Sequence, residues 1–309
     1  MTKVLRGRKG HLFLDNDTNN VQLQTAGIPF MTHERFESIA SSHKSADERA
    51  KARAGRYIHL IAPNKETGCR DYLPSPEIYE MHGKTPANLF MANTQWSAST
   101  YFNHNILCDH TCQYRHYDVD ESHWSVTGAL IYLEEAFCYF GWDEELEALK
   151  SIDRRIAVAP SQGDLASLVN LPPRRLPRVE VRNRQSVLHF HGDVANEGFI
   201  QHFTCCRGSG RALILHDSFL MEPLPFLTEI FSETLAVHCP DFLLDLEEQY
   251  RPDVVIKLQA ERFFPYIPVE RPSTDEWLCD VEKRKQADCS NSRAYITSIA
   301  DPALRVAAE

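Results

Sequence analysis

The chain has 309 residues, 43% hydrophobic and 25% charged, close to the averages for a soluble globular protein. This excludes intrinsic disorder, collagen-like repeats and a disulfide-dense miniprotein. The formal net charge of −10 gives a polyphosphate no advantage over solvent, so no nucleic-acid partner is expected. No apolar run approaches the roughly 18 residues needed to cross a bilayer, so no membrane span is expected.

The opening Met1-Thr2-Lys3-Val4-Leu5-Arg6-Gly7-Arg8-Lys9-Gly10 is basic, but no apolar signal-peptide core follows it. The expectation is a cytoplasmic protein as written, and a periplasmic one if the chain is a trimmed segment. Arg56–Ala62 reads as a strand ended by Pro63-Asn64, and Val126–Phe140 carries apolar residues at helical spacing with Gly141 as its stop. The stretch 160–184, rich in Pro, Arg and Leu, reads as an insertion or surface excursion. Residues 212–215 read as a short buried strand, and 219–231 as a helix interrupted near its start by Pro223 and Pro225. A helical stretch over 241–249 then leads into an interior strand from Pro252. Residues 271–309 partly lose periodicity and read as a C-terminal extension packed on a main domain of 1–270. Strands alternating with helices predict an α/β protein. The nine cysteines are an odd number without framework spacing and read as reduced, mostly buried thiols.

Two segments carry reactive groups. In Leu213-Ile214-Leu215-His216-Asp217-Ser218-Phe219 a strand runs into a serine and a helical pattern begins at once. That geometry lifts a hydroxyl out at the carboxyl edge of a parallel sheet, although Asp217 or Ser218 could equally be a helix cap. In Asp118-Val119-Asp120-Glu121-Ser122-His123-Trp124 a histidine stands two residues after one carboxylate and three after another. A serine needs an imidazole to take its proton, and the imidazole needs a carboxylate to fix its tautomer. An acidic helix-start cluster with a surface histidine would read the same way.

Together the segments resemble one family, the SGNH-hydrolase-like domain of bacterial alginate O-acetyltransferases of the AlgX/AlgJ type. That family opens a helix with Asp-x-His-Trp and later supplies a serine in Asp-Ser-Phe; here these are Glu121-Ser122-His123-Trp124 and Asp217-Ser218-Phe219. Further matches follow the same order: Gly7-Arg8-Lys9-Gly10-His11-Leu12-Phe13-Leu14; Ala62-Pro63-Asn64-Lys65 with Tyr72-Leu73-Pro74; Gly163-Asp164-Leu165; and Pro252-Asp253-Val254-Val255 with Glu261-Arg262-Phe263. The resemblance spans roughly residues 7 to 268, and its specificity lies in ordered co-occurrence. The chain departs from the family in having Glu121 for aspartate, and Asp120 is a rival because the wider SGNH hydrolases use a three-residue offset. The opening glycine of other SGNH enzymes is replaced by His216.

The resemblance implies a three-layer α/β/α domain with a mainly parallel central sheet. It also implies an O-acetyltransferase in which Ser218 attacks an acetyl ester, His123 is base then acid, and Glu121 or Asp120 orients it. Transfer to water instead of a sugar would make the same residues an acetylesterase. Asn64, Lys65, Asp217 and Trp124 are expected as substrate contacts or oxyanion donors, and Glu261 and Arg262 as a structural ion pair. No cofactor is required, the acetyl donor is open, and the expected partners are a glycan or polysaccharide and an acetyl-donating membrane or carrier protein.

Two rival readings belong to other classes. Cys108, His110, Cys112 and His116 cluster in sequence, but Cys-x3-Cys lies outside the tighter paired spacings of structural zinc sites and no second pair follows, so no metal is expected. His189 and His191 alternate as on one face of a strand, which needs no metal to explain it. Alternatively, the domain is a non-catalytic glycan platform with Trp96, Trp124 and Trp142 as stacking surfaces.

Overall fold

The computed structural model describes residues 3–15, 19–28, 31–76, 85–108 and 115–300. A hairpin of β1 (Lys3–Arg6) and β2 (Leu12–Asp15) leads to α1 (Val21–Thr25), α2 (His33–Ala52), β3 (Arg56–Ala62), α3 (Lys65–Gly68), α4 (Pro86–Met91) and β4 (Thr100–Tyr101). Next come α5 (Val126–Phe140), α6 (Asp143–Ser151), β5 (Arg154–Ser161), α7 (Asp164–Leu168), β6 (Arg174–Val181), β7 (Ser186–His191), β8 (Ile200–Cys205) and β9 (Arg211–His216). The last third holds α8 (Leu224–Ile230), β10 (Glu233–His238), β11 (Phe242–Leu243), α9 (Leu244–Tyr250), β12 (Val254–Ala260), β13 (Glu270–Arg271), α10 (Thr274–Lys285) and α11 (Ser290–Ala300).

The central sheet has seven strands in the order β4-β3-β12-β9-β10-β8-β7. It is parallel from β4 to β10 and antiparallel from β10 through β8 to β7. Every residue of β12 is buried, as a parallel strand covered on both faces must be. Alternation along the strands divides their side chains between two cores. Ile58, Leu60, Ile214 and Ile256 pack on one face with Leu133 and Phe137 of α5. Leu213, Leu215, Leu235 and Val255 pack on the other with Leu246 of α9 and Trp277 of α10. The architecture is therefore the expected α/β/α sandwich. No helix among the described residues is long and apolar enough to cross a membrane.

Differences from the sequence reading have local causes. The helix expected over 219–231 breaks into a single 3-10 turn, Ser218–Met221, and α8, because Pro223 and Pro225 lack amide hydrogens and restrict the residue before them. The helix expected over 241–249 begins only at Leu244, since Phe242 and Leu243 pair with β13. Residues 154–181 form an antiparallel hairpin of β5 and β6, paired from Arg154↔Val181 to Ser161↔Arg174, with α7 in its connection. Beyond residue 270, α10 and α11 pack against the second core; residues 301–309 lie outside the described part. Gly141 ends α5 in the left-handed conformation, φ 66°, the usual helix stop. Among the described residues, eight cysteines have free thiols.

Candidate active site

Ser218 follows the end of β9 by two residues and is half-buried at the carboxyl rim of the sheet. The turn is stapled across two strands. Asp217 donates its N–H to Leu258 O at 3.2 Å. Its carboxylate accepts from Phe219 N–H at 2.9 Å and from Ala260 N–H, at the end of β12, at 2.6 Å. Two backbone donors thereby find a partner, and the serine is held at a fixed height above the parallel strands.

His123 arrives from the opposite direction, in the loop before α5. Ser125 caps that helix by accepting from Gly128 N–H at 3.1 Å. Gly128 must be a glycine, because a Cβ there would lie 2.5 Å from His116 O. The indole Nε1 of Trp124, buried, donates to Phe219 O at 2.8 Å. Each member of this latch is the residue after a proposed catalytic one, so the bond that joins Trp124 to Phe219 also sets His123 beside Ser218. His123 Nε2 lies 2.8 Å from Ser218 Oγ.

Glu121 completes the relay, its Oε1 2.6 Å from His123 Nδ1. A carboxylate only accepts, so Nδ1 carries the proton and Nε2 offers its lone pair to the serine hydroxyl. The additional methylene of glutamate is taken up by folding back: Oε1 also accepts from the N–H groups of Ser122 at 3.1 Å and His123 at 3.3 Å. Burial works to raise the Glu121 carboxyl, but hydrogen bonds from His123 and Asp164, together with the electrostatic attraction of the His123 ring, outweigh it and hold it at about 2. Asp120 is engaged elsewhere. Its carboxylate faces the Arg174 fork, with Arg174 Nε donating to Oδ2 at 3.0 Å and Nη2 2.9 Å from Oδ1. Of the two carboxylates open on sequence, the structure brings Glu121 to the imidazole.

The remaining candidate contacts each have at least one partner within the protein. Asn64 is fully buried, and β3, which it follows, lies two strands from β9, about 10 Å. Its Oδ1 accepts from Arg262 N–H at 3.2 Å and its N–H donates to Glu261 at 3.0 Å, so it supports the turn after β12. Lys65 is also fully buried, and its Nζ donates to Glu121 O at 2.9 Å, holding the carboxylate loop from behind. Burial pushes its ammonium down to about 8, against nearby carboxylates that raise it. Asp217 and Trp124, candidates for the same contacts, form the staple and the latch. Glu261 and Arg262, expected to pair, turn apart: Glu261 accepts from Asn64 N–H and Thr67 Oγ1, and the Arg262 guanidinium lies over the Phe219 ring at 5.0 Å.

The side chains of the rival sites meet ordinary partners within the fold. Cys108 donates to His104 O at 3.4 Å and His116 Nδ1 to Leu107 O at 3.1 Å; His110 and Cys112 lie outside the described residues. His189 is hydrogen-bonded to Thr204 Oγ1 at 2.6 Å, and His191 meets the Phe199 ring edge-on. Among the described residues, the three ligand-type groups lying within 4.8 Å of one another are Glu121, His123 and Asp164, which already bond among themselves. Trp124 and Trp142 are buried, which removes them as sugar platforms, and Trp96, partly buried, stacks on Phe36. Sequence reasoning gave no role to Arg174 or to Asp164, the second of which stood in plain view in the Gly163-Asp164 match.

The chain is a three-layer α/β sandwich with a serine at the carboxyl rim of a mainly parallel sheet, a histidine opposite it and a carboxylate on the far side of that histidine. Solved structures share this fold. The O-acetyltransferase domain of AlgJ from Pseudomonas putida aligns with a TM-score of 0.50 at 16% identity, covering 92% of this chain and 100% of that one. PatB1 from Bacillus cereus aligns with a TM-score of 0.55 at 14% identity over 85% and 97% of the two chains. AlgX from Pseudomonas aeruginosa gives 0.50 and 15%, over 84% of this chain and 62% of that one. No protein-family model and no curated protein matches the sequence.

Proposed function

We propose that this protein is a serine-dependent O-acetyltransferase acting on a glycan hydroxyl. The observation that carries the reading is the unbroken relay from Ser218 Oγ to His123 Nε2, 2.8 Å, and from His123 Nδ1 to Glu121, 2.6 Å. The fold shared with the AlgJ O-acetyltransferase domain supports it.

Ser218 Oγ adds to the carbonyl carbon of an acetyl ester while its proton passes to His123 Nε2. The Glu121 carboxylate stabilises the imidazolium so formed. The Ser218 N–H, which meets no protein acceptor among the described residues, is the donor assigned to the oxyanion. Collapse of the tetrahedral adduct breaks the bond to the donor oxygen, which leaves with the proton from His123, and Ser218 holds the acetyl group. A sugar hydroxyl then adds to that ester, giving its proton to His123 Nε2. The second collapse releases the acetylated sugar and returns the proton to Ser218 Oγ. If water replaces the sugar, the same steps give an acetylesterase that releases acetate.

Incubation with p-nitrophenyl acetate, with and without an oligosaccharide acceptor, tests the proposal by mass spectrometry. The expected result is an acetyl adduct on Ser218 and acetylated oligosaccharide. Acetate alone, in the presence of several acceptors, selects the esterase; an unreactive serine overturns both.

A further inference from the structure

Gly163 and Asp164 open α7 in the connection between β5 and β6, within the stretch that reads in sequence as an insertion. They close on the 120–123 loop from outside the sheet. The Asp164 N–H donates to Glu121 Oε2 at 3.0 Å, and the Ala166 N–H to Asp120 O at 3.1 Å. The Asp164 carboxylate accepts from Ser122 N–H at 2.8 Å through Oδ1 and from Ser122 Oγ at 2.5 Å through Oδ2. The approach is so close that a Cβ on Gly163 would stand 2.0 Å from Asp120 O, a backbone obstacle that only glycine avoids. Asp164 Oδ2 lies 3.8 Å from His123 Nδ1. The proton-bearing side of the imidazole therefore faces two carboxylates.

We propose that Asp164 is a positioning residue for the relay: it clamps Glu121 and Ser122, and its charge helps to hold the imidazolium that forms when His123 takes the serine proton. The inference rests on Ser218 and His123 being nucleophile and base. A glutamate has one more rotatable bond than the aspartate it replaces and loses more freedom when fixed. The α7 clamp supplies that fixation from a second element, in keeping with the need for catalytic side chains to be locked by their neighbours. Other charged groups act near this cluster. Glu222 and Asp217 stand on either side of Ser218 in the chain, Asp118 precedes the loop, Lys65 lies behind it, and Arg178 approaches from β6. None of these accepts from Ser122 as Asp164 does.

Asp164→Asn keeps an oxygen for Ser122 but removes the charge, whereas Asp164→Ala removes both. Two readouts separate the roles: the rate of Ser218 sulfonylation by phenylmethylsulfonyl fluoride, followed by intact mass across pH, and the titration midpoint of the His123 imidazole by NMR. In Asp164→Asn, loss of a neighbouring carboxylate moves the His123 midpoint and the acid limb of labelling to lower pH by about 0.5 unit, roughly a threefold change in affinity for the proton. Asp164→Ala slows labelling on the order of tenfold to a hundredfold as Glu121 loosens. Circular dichroism checks the fold, and if Asp164→Ala does not fold, Asp164→Asn decides. A midpoint unmoved in Asp164→Asn, with labelling within about twofold of wild type, overturns the inference. Failure of the underlying reading looks different, with wild-type Ser218 left unlabelled. The His123 midpoint then still reports whether the Asp164 charge reaches the imidazole.

Discussion

Ser218 leaves β9 among strands buried on both faces, whereas Asp164 sits in an excursion where no residue of β5 or β6 is fully buried. The two regions hold opposite ends of one relay by different means. At the rim, the parallel ladder fixes the heights of β9 and β12, and Asp217 ties their ends together. In the excursion, position comes from a few hydrogen bonds and one glycine contact between α7 and the 120–123 loop. A packed core is costly to deform, but a clamp of polar contacts can be loosened one bond at a time. Damage to the rim should therefore cost fold and activity together, and damage to the excursion should cost activity first.

The sharpest cut through this comparison is Ser218→Ala, which removes the hydroxyl and leaves both supports. Acyl turnover should fall by about four orders of magnitude or below detection, as with removal of a nucleophile from similar relays, while the thermal midpoint stays put. His123→Ala should do the same. Substantial turnover in either variant, measured with the chromogenic ester, would end the assignment.

Asp217→Ala tests the rim. It leaves the N–H groups of Phe219 and Ala260 without their acceptor, so denaturant melts should show a loss of about 2 kcal/mol together with lost activity. An undiminished melt would mean that the ladder alone holds the serine turn.

Acidification loads the core. His43 and His59 stack at 3.7 Å between α2 and β3. Burial, followed by the charge of Lys257, pushes His43 down to about 3; burial, then His43 and Lys257, push His59 well below its usual range. Their folded values are depressed, so the unfolded chain takes up protons first. The stability they contribute is complete above about pH 6.5 and is lost as pH falls through the folded values. Thermal midpoints should decline below that pH, and less steeply in His43→Gln.

Smaller effects belong to the excursion. Arg174→Ala frees the buried Asp120 carboxylate from a partner that is itself nearly half exposed. We expect about 1 kcal/mol in denaturant melts and a modest fall in labelling of Ser218. At the bottom of the scale, Ile156→Ser, on a strand residue 52% exposed, should stay within about 0.5 kcal/mol. A larger loss would show that the hairpin has a buried partner.

Much of the rim was legible because its signals are local. The apolar run of Arg56–Ala62 and the helical spacing of Val126–Phe140 both give their elements with the bounds expected, since periodicity and terminal Gly or Pro act over a few residues. The choice between Glu121 and Asp120 was not legible. It depends on Arg174, 54 positions away from Asp120, and on how a glutamate folds its additional methylene against its own backbone. Nor could spacing show that Asn64 serves the turn after β12, because the strand order β3-β12-β9 places another strand between it and the serine.

The sequence by itself determined the α/β character, the main strands, and a serine and a histidine placed where element ends leave side chains free. Only the tertiary structure decided which carboxylate meets the imidazole, that Trp124 latches onto Phe219, and that an apparent insertion closes on the relay. These are contacts between segments remote in the chain. Such contacts follow from strand order and packing, whereas propensity and pattern act only between near neighbours.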